Sequence, residues 1–181
     1  EGMERNTGTM LKVPKQHDGL ADRILTEADV QKMLALSTGR DHLVVRLLYN
    51  SGCRIAELCK LRWIDITDEG TGTAYVTVTG KREKTRTVRI SAETARLLRA
   101  LRLDTLTVSE YVFVSRNKKA LSPVQAWRIV KAAAKRAKIE KPVSPHFLRH
   151  SHASHAIEKG MKVTTVRDTL GHSSIAVTDR Y

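Results

Sequence analysis

Between residues 73 and 90 the apolar pattern changes period, and this stretch separates the possible folds more sharply than any other in the chain. Ala74, Val76 and Val78 alternate with polar residues, Gly80 supplies a turn, and Val88 and Ile90 alternate again. A period of two marks a strand with one buried face, and two such runs about a turn make a β-hairpin. On both sides of it the period is helical. Thr26 caps a first helix, with Asp29 three residues on and Val30, Met33 and Leu34 as its apolar stripe. A second helix carries Leu43, Val44, Leu47 and Leu48 and stops at Ser51-Gly52, where glycine suits a left-handed end. A short third helix begins with Arg54 near its first turn and turns Ile55, Leu58 and Cys59 inward. Beyond the hairpin, Ser91 caps a helix to about Leu103, and Tyr111 to Val114 reads as a short strand. Ser122-Pro123 opens a helix with Val124, Trp127, Val130 and Ala134 inward, and Ser144-Pro145 repeats that start signal for a helix ending near Gly160. Two shorter helices follow, one ending at Leu170-Gly171 and one after Ser173-Ser174. The expected fold is α+β and mainly α-helical, with a small antiparallel β-sheet made of the hairpin at about 73–90 and a short strand near 111–114.

A chain of 181 residues suits one domain with one core. Residues 1–20 are polar, hold Gly2, Gly8, Pro14 and Gly19 and show no apolar period, so they read as a linker or tail before a folded unit at 21–181. The formal net charge of +13 points to an anionic partner. Its distribution is regional. Residues 21–70 hold seven Lys/Arg against eight Asp/Glu, whereas 81–102 hold eight against two and 116–141 nine against one. The basic excess therefore forms a face. The two cysteines, Cys53 and Cys59, lie in an apolar pattern without the spacing of a zinc knuckle or a disulfide framework, which implies a reducing, intracellular setting. No run of about 18 apolar residues appears, so a membrane span is not expected. Trp63 and Trp127 sit on apolar positions and are expected in the core, and aromatics at 4% argue against base stacking as the main mode of recognition.

His146 and Arg149 are three apart at the start of one helix, so they share a face and lie where a helix N-terminus favours an anion. Arg54 is also near a helix start, and Tyr181 ends the chain. Each of these alone is an ordinary surface or packing residue, but in combination they fit one reaction. A tyrosine attacking a phosphodiester needs the added transition-state charge neutralised, which two permanently charged guanidinium forks can do. It also needs an acceptor for the phenol proton, because the reference pKa of tyrosine is about 10; His146 is the candidate. Lys81, at the hairpin tip, can protonate the leaving 5′ oxygen. Lys84 is its rival on the same hairpin.

Four ordered blocks carry a resemblance to the tyrosine recombinases or phage-type integrases. Asn50-Ser-Gly-Cys-Arg54-Ile-Ala-Glu57-Leu resembles their first catalytic block, and Gly80-Lys81-Arg-Glu-Lys-Thr-Arg86-Thr-Val their lysine-bearing hairpin. Ser144-Pro-His146-Phe-Leu-Arg149-His150 is similar to the second block, and Leu170-Gly171-His172-Ser-Ser with Thr178-Asp-Arg-Tyr181 to the third. The resemblance covers residues 20–181 and implies a helical catalytic domain that cleaves and rejoins DNA. It implies that Tyr181 forms a 3′-phosphotyrosine, that Arg54, Arg149 and His172 hold the non-bridging oxygens, and that His146 assists at the nucleophile. Lys81 is implied as general acid and Glu57 as a supporting residue. It implies no cofactor, neither metal nor ATP, since arginines supply the charge. His146, His150, His152 and His155 invite a metal reading, but they come without a catalytic carboxylate in an HExxH pattern.

The expected partners are double-stranded DNA and other recombinase protomers, as a tetramer on paired sites, with no membrane. The setting implied is cytoplasmic and DNA-associated, in a prokaryote or phage. Arg82, Lys84, Arg86, Lys118, Lys119, Arg128, Lys131 and Lys135 are the expected DNA contacts. An upstream DNA-clamping domain and a downstream tail, which the family carries, are expected to be absent. Two other readings compete: a type IB topoisomerase, which shares this chemistry but relaxes supercoils, and a DNA-binding module without catalysis. The compact spacing of the blocks favours a recombinase over the first, and the six filled catalytic positions weigh against the second.

Overall fold

In the computed structural model the described residues are 21–70, 72–80, 84–105 and 109–171. Among them, helices α1 (Glu27–Ala35), α2 (Gly39–Ser51) and α3 (Ile55–Cys59) precede strands β1 (Ile66–Asp68), β2 (Ala74–Thr79) and β3 (Thr85–Ile90). Helices α4 (Ala92–Thr105), α5 (Pro123–Arg136), α6 (Pro145–Glu158) and α7 (Val163–Leu170) complete them. The fold class is the expected one.

Local signals explain most boundaries. The Thr26 hydroxyl accepts the Asp29 N–H at 3.1 Å and the Asp29 carboxylate accepts the Thr26 N–H at 3.3 Å, a reciprocal cap on α1. Ser122 and Gln125 repeat it on α5. Gly52 ends α2 with φ 55°. Helix α2 is the centre of the molecule: Leu43, Val44, Val45, Leu47 and Leu48 are all buried, and α1, α3, α4, α5, α6 and β3 lie against it. Its broad apolar face needs partners on several sides, while Arg40, Asp41, His42 and Arg46 stay partly exposed.

The sheet is antiparallel in the order β1-β2-β3. Val76 pairs with Val88 and Ala74 with Ile90, so the buried row of β2 faces the buried row of β3 on one side of the hairpin. Its third strand differs from expectation. Ile66–Asp68 pairs with β2, while Tyr111 and Val114 form only isolated bridges to Arg62 and Ala120. The reason is burial: Val112 and Phe113 are consecutive and both fully buried, so this segment runs through the core instead of presenting one face as a strand does.

Helix α5 also departs from its expected orientation. Val124 and Trp127 point outward, at 59% and 44% exposure, and the inward stripe is Ala126, Ile129, Val130, Ala133 and Ala134. Small side chains let α5 approach α2 closely, and the bulky pair is left outside, where the Lys131 ammonium lies 5.5 Å from the Trp127 ring centroid. Trp63 is in the core as expected. No helix among the described residues is long and apolar enough to cross a membrane.

Candidate active site

Chain topology brings three of the four blocks, and the Leu170-Gly171 start of the fourth, to one junction. Arg54 is the residue that enters α3, in an extended conformation, and its backbone N–H donates to the Glu57 carboxylate at 2.8 Å. Its guanidinium returns to the same carboxylate at 2.9 Å while the side chain stays 43% exposed. Glu57 itself is only 5% exposed and also accepts both Nη atoms of Arg86, at 3.2 and 2.7 Å. Burial pushes the Glu57 carboxyl pKa up, but the hydrogen bonds from Arg86 and Arg54 outweigh it and hold the group below the usual carboxylate range. Glu57 is therefore a buried anion that fixes two arginines.

Arg149 is buried in α6 and donates to the Gly52 carbonyl, at the end of α2, and to the Leu170 carbonyl at 2.7 Å, at the end of α7. Unpaired carbonyls are what a helix C-terminus offers, so one guanidinium ties two helix ends together. The joint is closely fitted. A Cβ on Gly52 would lie 2.6 Å from Leu170 Cδ2 and 2.8 Å from His152 Cδ2. His146 stands exposed in the first turn of α6, one turn before Arg149.

The hairpin neck lies on the same cluster. Gly80 N–H donates to the Lys84 carbonyl at 2.8 Å, and a Cβ on Gly80 would lie 3.1 Å from Glu57 Oε1. Lys81 and Arg82 follow directly and lie outside the described residues, as do His172 and Tyr181. Among the expected DNA contacts, Lys84, Lys118, Lys119, Arg128 and Lys135 are exposed and Lys131 is half-buried. Arg86 differs from these: it is 11% exposed, with its fork on Glu57 and its Nε donating to the Thr169 carbonyl at 2.6 Å, so its guanidinium is turned into the protein. Its phase carried the signal: residues 86, 88 and 90 share one side of β3.

The remaining histidines of α6 serve the fold. Burial, with the nearby His146 and Arg149 charges, lowers the His150 pKa to about 4. Burial and Arg149 bring His152 to about 4 as well. His155 Nδ1 is 2.8 Å from the Tyr49 hydroxyl, linking α6 to α2. Burial raises both cysteine thiols to about 11, which makes them unreactive. Among the described residues no three His, Cys, Asp or Glu side chains come together as metal ligands.

The described residues thus place an arginine at the entrance to α3, a second arginine in α6 and the neck of a hairpin around one buried carboxylate and two helix ends. The chain belongs to the phage integrase family, whose model matches residues 23–181. It is 36% identical over 177 residues to tyrosine recombinase XerA of Pyrococcus furiosus, covering 94% of this chain and 59% of that protein. It is 29% identical to tyrosine recombinase XerD of Listeria innocua, covering 99% and 63%. The chain thus spans about six tenths of the length of the curated relatives it matches. The crystal structure of XerA recombinase superposes with a TM-score of 0.80 at 27% identity, over 87% of this chain and 59% of that one. The lambda integrase catalytic core shares the fold, with a TM-score of 0.65 at 23% identity over 82% of this chain and 91% of that one.

Proposed function

We propose that this chain is the catalytic domain of a site-specific DNA recombinase that cleaves and rejoins strands through a 3′-phosphotyrosine. Tyr181 attacks the scissile phosphorus, the bond to the 5′ oxygen breaks, His146 takes the phenol proton and Lys81 gives a proton to the departing 5′ oxygen. Arg54, Arg149 and His172 hold the non-bridging oxygens as charge builds on them. Because the phosphotyrosine conserves the energy of the phosphodiester, a 5′ hydroxyl from another strand reverses the step without ATP. The partners are double-stranded DNA and further copies of the recombinase, and the protein works on DNA in a prokaryotic or phage setting.

The observation that carries this reading is the junction itself, where Arg54, the neck of the Lys81 hairpin, Arg149 and the end of α7 are linked through Glu57, Arg86 and two helix-end carbonyls. The test is covalent capture on nicked duplexes with a randomised core. Wild-type protein should yield a protein–DNA adduct that resists denaturant, and Tyr181→Phe, which lacks only the nucleophilic oxygen, should bind the same DNA and yield none. An adduct from Tyr181→Phe would assign the nucleophile elsewhere. Exchange between two marked duplexes separates recombination from topoisomerase-like relaxation.

A further inference from the structure

Arg86 has no chemical task in that scheme, yet it touches two parts of the site. It faces inward from β3, opposite Val78 on β2. Its Nε donates to the Thr169 carbonyl in the last turn of α7, three residues before His172, and its two Nη atoms hold the Glu57 carboxylate that also holds Arg54. One planar fork therefore joins the entrance of α3, the strand that leaves the Lys81 loop, and the chain that leads to His172. Backbone closes over it on two sides. A Cβ on Gly171 would lie 3.2 Å from Arg86 Nη1, and one on Gly80 3.1 Å from Glu57 Oε1.

The charges give the fork a second consequence. Glu57 alone with Arg54 would form an ordinary ion pair, drawing that guanidinium toward the carboxylate and away from a phosphate. Arg86 neutralises the carboxylate from the other side. The cluster of two guanidiniums and one carboxylate then keeps a net positive charge, and its exposed member is Arg54. Lysine, a point charge on a flexible stem, cannot serve Glu57 and the Thr169 carbonyl together.

We infer that Arg86 is a positioning residue: it sets the mutual placement of Arg54, the Lys81 hairpin and the end of α7, and it does not contact DNA. The inference rests on the cleavage function proposed above. Single-turnover covalent capture on a nicked duplex, beside equilibrium binding to the same duplex, tests it at a temperature where each variant is fully folded. Arg86→Lys keeps the charge, so its DNA affinity should stay within about twofold of wild type while cleavage at saturating DNA slows by about 10- to 100-fold, the usual result of a small misplacement. Because part of the effect of Arg86 runs through Arg54, adding Arg86→Lys to Arg54→Ala should slow cleavage less than the product of the two single losses. Should Arg86→Lys fail to fold, Glu57→Asp keeps the carboxylate charge, shortens its reach, and should show the same split between binding and rate. Wild-type cleavage by Arg86→Lys, full multiplication of the losses, or a defect abolished by saturating DNA would each overturn the positioning role alone. A wild-type protein that forms no adduct removes the cleavage function and this role with it.

Discussion

Glu57 accepts four hydrogen bonds on two oxygens, from the Arg54 backbone and side chain and from both Nη atoms of Arg86. Glu57→Gln replaces one acceptor with an amide that itself donates, so two N–H groups would face a third inside the protein. The expected loss is about 3 kcal/mol, the range found when one partner of a buried ion pair is removed, read as a lower urea midpoint with unchanged slope. The sign with pH follows from the depressed carboxyl pKa. Its stabilisation is complete above the ordinary value of about 4.3 and fades as pH falls from there through the lower folded value, so wild type and variant should converge on acidification. The two arginines separate by burial. Arg54 is half in solvent and Arg149 ties two helix ends. Arg54→Ala should therefore slow cleavage by about 10²- to 10³-fold, the usual loss for one preorganised donor, with little change in melting temperature. Arg149→Ala should lower both. Equal thermal stability of the two variants would contradict this division.

At the scale of elements, the ends of α2 and α7 meet across α6, and two features make that joint brittle. Gly52 has φ 55° and no room for a Cβ against Leu170, which is fully buried. Gly52→Ala adds a left-handed conformation costing about 1–2 kcal/mol to a core clash costing about 1–3 kcal/mol, a sum that calorimetry can read. His150 and His152 are the second feature. Both have pKa values near 4 when folded against 6.5 when free. The unfolded chain therefore takes up protons that the folded one refuses, and stability should drop as pH falls from 6.5 to 4, more through the more deeply buried His152 than through His150. In His152→Leu that drop should shrink by more than about half. The glycine end of α2 and the proline start of α6 were legible because they rest on local backbone chemistry. Three other elements were not. The edge strand Ile66–Asp68 is three residues long and is defined only by its partner β2. The face of α5 was read from its bulky residues, whereas alanines make the closest approach to the core. Arg86 sat among hairpin cations and read as surface, although its phase with Val88 and Ile90 marked it as inward.

For the whole molecule, charge and fold combine to make a binding prediction that spares the core cluster. The segments 81–102 and 116–141 carry most of the basic excess behind the net +13, and Lys118, Lys119, Arg128 and Lys135 stand exposed on the second of them. Exposed cations bind a phosphate backbone by releasing condensed counterions, so the logarithm of affinity should fall linearly with the logarithm of salt, by about 0.9 per phosphate neutralised. Each exposed lysine or arginine that touches a phosphate should reduce that slope by about one when replaced with glutamine, and weaken all duplexes alike. Lys118→Gln and Arg128→Gln test this directly by fluorescence anisotropy across a salt series. Arg86→Lys should leave the slope unchanged, because that guanidinium neutralises Glu57 and a helix-end carbonyl and is turned away from solvent. A salt slope insensitive to the exposed cations of 116–141 but steeply reduced by Arg86→Lys would place the DNA on the hairpin side of the molecule and turn the inward reading of that arginine around.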